Sequence, residues 1–420
     1  MGNSTRHTGR WTLEDRFAAP WHYLPVEVKP GTAGLQVELD YDRAEGSVLD
    51  LGCLGPRGFR GWSGSARESF VITREGATPG YLPGELEAGT WQVMIGLHRV
   101  PPDGVRYQLT AEAMGSLPMT SGASGASGAG ALGPDLRPPP APPSPVDRPA
   151  RRLLPTSEGR HWLAGDLHAH TVHSDGVLTV SELAVLAVER GLDFLAVTDH
   201  NTVSHHAELP AAARRYGITL LPGQEVTTDG GHAGALGDIG WVDFRRPPDD
   251  WLDATEAGGG LLSINHPFAG PVSWVHPMRR RPPLVELWHW SWLDLRWTTP
   301  LGWWQAWDPT ATPVGGSDWH RPGSDAPPGR PTTWVQCTGT EPGDVLDGLR
   351  AGLVAISAER DGPVLLRHEG DFVAVDADGL TLAGPGGPCA RIRGERARLT
   401  AVPGPHRLLD ASGATLALSP

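Results

Sequence analysis

His168, His170, Asp175, His200, Glu225, His266, Asp318 and His320 each stand just past a short apolar run, and this recurrence constrains the fold more than any other feature of the chain. A parallel barrel builds its active site where the carboxyl ends of its strands meet the following loops, so side chains far apart in sequence converge at one face. The apolar runs read as strands: Phe194 to Val197 before His200, Ile218 to Leu221 before Glu225, Leu261 to Ile264 before His266, and Pro313 to Val314 before Asp318 and His320. From Leu178 to Arg190 the pattern is helical. Thr179 and Glu182 have capping-box spacing, Leu183, Leu186, Ala187 and Arg190 share a face, and Gly191 ends the run. Repeated strand, polar loop and helix predict an α/β class with a parallel sheet or barrel, here over residues 159–360.

The flanks have a different texture. Over residues 1–115, Val105, Tyr107, Leu109 and Ala111 alternate with polar neighbours, as do Leu35, Val37 and Leu39, and Trp91, Val93 and Ile95. Turn pairs such as Pro79-Gly80 and Asp103-Gly104 separate the runs, so an antiparallel β-sandwich is expected. Residues 116–158 are rich in Gly, Ala and Ser and then in Pro, which reads as a linker, flexible first and stiffer after. Residues 361–420 return to short strands with Gly turns, a small β-rich appendage.

Several function classes drop out. A net charge of -13 argues against a nucleic-acid-binding surface, which needs excess Lys and Arg. Lys29 is the sole lysine, which removes a Walker-type phosphate loop and Schiff-base chemistry on the barrel. Cys53, Cys337 and Cys389 have no paired spacing and read as free thiols of a reducing compartment. The N-terminus lacks a secretory apolar core and no run is long enough to cross a bilayer, so a cytoplasmic protein without membrane association is expected.

The segment GDLHAHTVHSDG sets His168 and His170 two apart, so at an extended strand end both imidazoles point one way and one ion can hold both. Asp175 follows in a turn from which its carboxylate can swing back. Imidazoles mixed with carboxylates suit zinc, iron or manganese, whereas an all-oxygen site would indicate calcium or magnesium.

The segments GDLHAH, VTDHN, PGQEVT, INHP and GGSDWH, in this order, resemble the PHP (polymerase and histidinol phosphatase) superfamily, and within it the CehA/McbA-type metallohydrolases, over roughly residues 160 to 360. The resemblance implies a distorted (β/α)7 barrel holding two or three divalent transition metal ions (Zn, Mn or Fe). One ion would take His168, His170, Glu225 and Asp318; Glu225 would bridge to a second held by His232 and His266; Asp175, His200 and His320 would hold a third. Asp175 stands where trinuclear members usually carry histidine, and His289 where the family pattern favours asparagine.

The function so implied is hydrolysis of a small phosphate mono- or diester by a metal-bridging hydroxide, with Glu225, Asp318, His200 and His320 as candidate catalytic residues and Arg321, His206 and His289 as candidate substrate contacts. A carboxylic or carbamic ester hydrolase using the same metals is the alternative. A binding or scaffold protein with a degenerate site is the reading from another class. The partner is then a small anionic or ester substrate, and the oligomeric state stays open. Two further runs have two readings each. Trp288 to Trp307 either packs the barrel or offers a stacking platform, and Arg279 to Arg281 is either a solvated loop or a phosphate clamp.

Overall fold

The computed structural model describes residues 3–43, 46–115, 141–292, 296, 298–323 and 326–420; residues 116–140 of the expected linker lie outside them. Alternating burial builds the first unit. One antiparallel sheet has the order β1 (Asn3–Trp11), β8 (Val105–Met114), β3 (Gly34–Tyr41), β6 (Ser69–Thr73), and a second has β2 (Trp21–Val28), β7 (Gly89–Arg99), β4 (Val48–Gly55), β5 (Gly58–Gly64). Along β8 the side chains of Val105, Leu109 and Ala111 are buried while Arg106 and Glu112 are exposed, the period of two that a half-buried strand requires. Leu35 and Val37 of β3 and Trp91, Val93 and Ile95 of β7 share one core with them, so both sheets turn their apolar faces inward as expected. A short helix α1 (Leu13–Ala18) follows β1, its N-terminus closed by a Thr12–Asp15 capping box.

The second unit begins with β9 (His161–Asp166), followed by α2 (Val180–Glu189), β10 (Phe194–Val197), α3 (Leu209–Tyr216) and β11 (Thr219–Thr228). The α2 cap is the expected one: Thr179 Oγ1 accepts from Glu182 N–H and the Glu182 carboxylate accepts from Thr179 N–H. Gly191, at φ 76, turns the chain out of the helix. The buried stripe runs through Val180, Leu183, Ala184, Ala187 and Val188; Arg190 lies off it and donates to Pro328 O.

Strands β9, β10 and β11 pair in parallel. One strand then departs from the parallel pattern, because Thr228-Asp229-Gly230-Gly231 makes a tight turn and β12 (Gly231–Leu236) returns antiparallel beside β11. Gly231 adopts φ 118, a conformation open to glycine and costly for other residues. Parallel order resumes from β13 (Leu261–Asn265), reached through α4 (Pro248–Ala257), to β14 (Leu284–His289) and, past α5 (Thr298–Trp307), to β15 (Thr312–Gly316).

The curled sheet then closes on itself. His170 N–H donates to Trp319 O, Asp166 accepts from the N–H groups of His168 and Ser317, and Thr333 Oγ1 bridges both backbone groups of Gly315. Seven strands, β9 to β15, so form a barrel distorted by antiparallel β12. Each contributes an apolar side chain to the interior, among them Leu163, Phe194, Leu221, Leu236, Leu261, Leu284 and Val314. The barrel is a packed core, and the metal-capable residues stand at one of its ends.

Beyond it the sheet continues through β16 (Thr332–Cys337), which lies antiparallel to β9, and, after α6 (Pro342–Arg350), through β17 (Val354–Ser357) to several of the strands β18 to β24 of residues 364–419. The C-terminal strands are thus built onto the barrel sheet through the pairing of β17 with β24 (Thr415–Ser419). Residues 141–158 lie against the same unit: Arg148 donates to Leu192 O and Gly217 O, Arg151 to the Asp193 carboxylate and Arg152 to Arg360 O. No helix of the described residues is long and apolar enough to cross a membrane.

The thiols give a direct check of packing. Cys53 and Cys337 are buried, and burial pushes both thiols up to about 12, whereas Cys389 is exposed. A thiol reagent at mildly alkaline pH is expected to label one cysteine quickly in the native protein and all three in denaturant. Rapid native labelling of Cys53 or Cys337 would contradict this core.

Candidate metal centre

Glu225 lies within β11 rather than past it, and its side chain is wholly buried. Its Oε1 is 3.1 Å from His168 Nε2, 3.2 Å from His266 Nε2 and 3.3 Å from His232 Nδ1. Its Oε2 is 2.8 Å from His200 Nδ1 and 3.6 Å from His170 Nε2. Asp318 is the second centre, with Oδ1 3.1 Å from His168 Nε2 and 3.0 Å from His170 Nε2. His168 and His170, two apart past the end of β9, do point the same way.

Donor atoms of His168, His170, Glu225 and Asp318 lie within 4.8 Å of one another, as do those of His200, Glu225 and His232, of His170, His200 and His320, and of His168, His266 and Glu286. Every expected ligand residue of the second unit falls in one of these groups. His232 reaches the cluster because the β11–β12 hairpin sets it opposite Thr227 and beside Asn265 of β13. Backbone geometry adds to the picture. Asn201, His266 and Asp318 have φ of 55, 27 and 50, left-handed values that cost a residue with a side chain about 1–3 kcal/mol and that gather at functional sites.

The electrostatics favour cation binding. Burial pushes the Glu225 carboxyl up, but His168, His232 and His200 outweigh it and hold it well below the usual carboxylate range. Asp318 behaves alike, with burial outweighed chiefly by His168 and His170. Burial and the neighbouring His320 and His200 bring His170 down to about 4, so it stays neutral and able to ligate near pH 7. His168 goes the other way: burial opposes its charge, but Glu225, Asp318 and Glu286 raise it well above the ordinary histidine value. His168 Nε2 and Glu225 Oε2 are buried and make no hydrogen bond among the described residues. Such stranded donors, in a set mixing imidazole nitrogen with carboxylate oxygen, fit divalent transition metal ions.

The candidate substrate contacts are placed differently. His289 is buried, with Nδ1 2.7 Å from Ser291 Oγ and Nε2 3.3 Å from Asp318 Oδ2, so its ring faces the ligand carboxylate. His206 directs Nε2 to Gly223 O, and Arg321 is exposed. Arg279 and Arg280 pair with Asp249, Asp253 and Glu256, while Arg281 lies 3.6 Å over the Trp307 ring, so the basic run is matched locally. Trp288, Trp292 and Trp304 are buried, in keeping with packing; Trp297 lies outside the described residues.

Three supporting residues were missed in the sequence. Asn265 Nδ2 donates to Glu225 Oε1 at 3.0 Å, and Asp199 accepts from both the N–H and the hydroxyl of Thr171 beside His170. Glu286, the third, accepts through Oε1 from His168 Nδ1 and through Oε2 from His266 N–H. Its signal was legible: a lone carboxylate within the apolar run LVELW must be paired if the strand is buried.

Residues 166–258 match the PHP domain model. A 5'-3' exoribonuclease of Haemophilus influenzae is 42% identical over 64 residues, 15% of this chain and 23% of the relative. A 3',5'-nucleoside bisphosphate phosphatase of Chromobacterium violaceum is 46% identical over 66 residues, 16% of this chain and 23% of the relative. The chain thus spans about a quarter of the length of these curated relatives. A solved two-domain protein of Bacteroides vulgatus, described as containing a predicted PHP-like metal-dependent phosphoesterase, aligns with a TM-score of 0.43 and 16% identity over 65% of this chain and 98% of its own.

Proposed function

We propose that this chain, which belongs to the PHP superfamily of metal-dependent phosphoesterases through its domain at residues 166–258, hydrolyses a small phosphate mono- or diester with two or three divalent cations. The main support is the Glu225 carboxylate, fully buried and approached by five imidazoles, those of His168, His170, His200, His232 and His266. Its superfamily relatives named as an exoribonuclease and a nucleoside bisphosphate phosphatase act, by those names, on phosphate esters, which favours phosphate over a carboxyl or carbamate ester. A net charge of -13 favours a small substrate over a nucleic-acid polymer. The sandwich before the barrel and the order of the motifs support the CehA/McbA-type branch within the superfamily.

Bound divalent cations would act as Lewis acids toward a phosphoryl oxygen and lower the pKa of water at the site. The protein's part is to hold them. Glu225 and Asp318 supply the buried negative charge, and His168, His170, His232 and His266 supply nitrogen donors on either side of it. His200 and His320, with side-chain exposures of 21% and 17%, are the more open imidazoles, available to a third cation or to hand a proton to a leaving group.

The test is a metal-supplemented comparison of an aryl phosphate, an aryl phosphodiester and an aryl carboxyl ester. Turnover of one phosphate substrate is expected to exceed that of the carboxyl ester by about 100-fold or more. The reverse order would move the assignment to the carboxyl or carbamate ester, and no turnover of any substrate with bound metal would favour a degenerate site.

A further inference from the structure

Strand β14 carries none of the ligands the sequence motifs assign, yet two of its side chains reach the centre. In regular alternation Glu286 and His289, three positions apart, would face opposite sides of the sheet. The pairing of β14 with β15 prevents this: Glu286 lies opposite Val314 and Trp288 opposite Gly315, so one extra residue is accommodated on β14. Such a bulge re-aims the side chains beyond it. Glu286 Oε1 lies 3.0 Å from His168 Nδ1, and the bulge brings His289 to the same side, with Nε2 3.3 Å from Asp318 Oδ2.

Glu286 is buried, and both of its oxygens are engaged. Oε2 accepts the backbone N–H of His266 at 2.8 Å, at the residue whose φ is 27. The neighbouring strand leaves room for this carboxylate, since a Cβ on Gly316 would come 2.0 Å from Glu286 Oε1 and 2.6 Å from His168 Cβ. In a neutral imidazole, a buried carboxylate that takes the Nδ1–H leaves Nε2 unprotonated and facing the metal site, and such partners set both ring orientation and tautomer. His168 Nε2 is the nitrogen that faces Glu225 and Asp318.

We propose that Glu286 is a positioning residue for the metal centre: one carboxylate fixes the ligating tautomer of His168 through Oε1 and the strained backbone of His266 through Oε2. This rests on the metal-dependent reading above. Glu286 could instead be taken for a ligand, because its oxygen lies near the donors of His168 and His266. The geometry argues otherwise, since each oxygen already receives a hydrogen.

Glu286→Gln separates these roles with little change of shape. Glutamine offers one oxygen, so either His168 Nδ1–H or His266 N–H must face an amide NH2. Metal-stripped wild type and variant would be titrated with Zn(II) or Mn(II) against a chromophoric chelator, with circular dichroism to follow folding. The tightest ion is expected to bind about 10- to 100-fold more weakly in the variant. Wild-type affinity in a folded variant would overturn the proposal, whereas wild type that takes up no metal would overturn the functional reading itself. A second measurement needs no substitution. Long-range 1H–15N spectra of metal-loaded, histidine-labelled wild type are expected to show His168 protonated at Nδ1, and a proton on Nε2 would overturn the proposal even if the variant fails to fold.

Discussion

Glu225→Gln is expected to lower turnover by about 10³-fold or more and to remove at least one bound cation. Glutamine keeps the shape, so the loss comes from charge and hydrogen-bonding character. The carboxylate is wholly buried, where interactions between charges are screened less than in water, and it takes the approach of five imidazoles. An amide there offers one neutral oxygen and turns an NH2 toward nitrogens that need to face a cation. The fold is expected to survive, because His168 keeps Asp318 at 3.1 Å and Glu286 at 3.0 Å. Elemental analysis and kcat/KM measured on the same preparation check both effects. A folded variant with wild-type metal content and turnover would remove Glu225 from the centre. Arg280→Ala, which breaks exposed pairs with Asp253 and Glu256, is the matched control and is expected to leave both quantities unchanged.

The features legible in the sequence are those that local spacing controls. His168 and His170 share a direction because they are two apart, α2 starts at Thr179 because its cap lies within four residues, and the sandwich strands show their period in Val105, Leu109 and Ala111. The illegible features depend on pairing across the chain. Antiparallel β12 follows from the turn at Thr228 to Gly231, a hairpin signal that the alternating strand-helix pattern overshadowed. His289 comes to the same side as Glu286 because of a bulge set by the register against β15, and no spacing along β14 encodes that register. Docking of residues 141–158 likewise depends on distant carbonyls at Leu192, Gly217 and Arg360 that meet two arginines, Arg148 and Arg152, of a Pro-rich run.

Stripping the metals with a chelator at neutral pH is expected to abolish turnover, to lower Tm, and to make the lowering grow as the pH rises. His168 carries the sign. In the metal-free protein burial opposes its protonation, but Glu225, Asp318 and Glu286 raise its pKa well above the ordinary 6.5. A raised folded value means stabilisation that is complete below the unfolded pKa and is lost as pH rises through the folded one. Glu225 and Asp318 are depressed, so their contribution is present above the ordinary 4.5 and 3.8 and disappears only as pH falls through their folded values. Over pH 6 to 8 the carboxylates therefore stay constant while the His168 contribution can only decline. Metal loading reverses the slope. A ligating His168 must give up its proton, so apparent metal affinity rises by up to about tenfold per pH unit for each proton displaced. Free metal at a hundredfold excess over Kd adds about 2.7 kcal/mol of stability. Thermal melts of stripped and reloaded protein at several pH values, with turnover on the same samples, measure the effect. A Tm and a turnover both indifferent to the chelator across this range would leave the histidine cluster without a resident cation and the hydrolytic assignment without its chemistry.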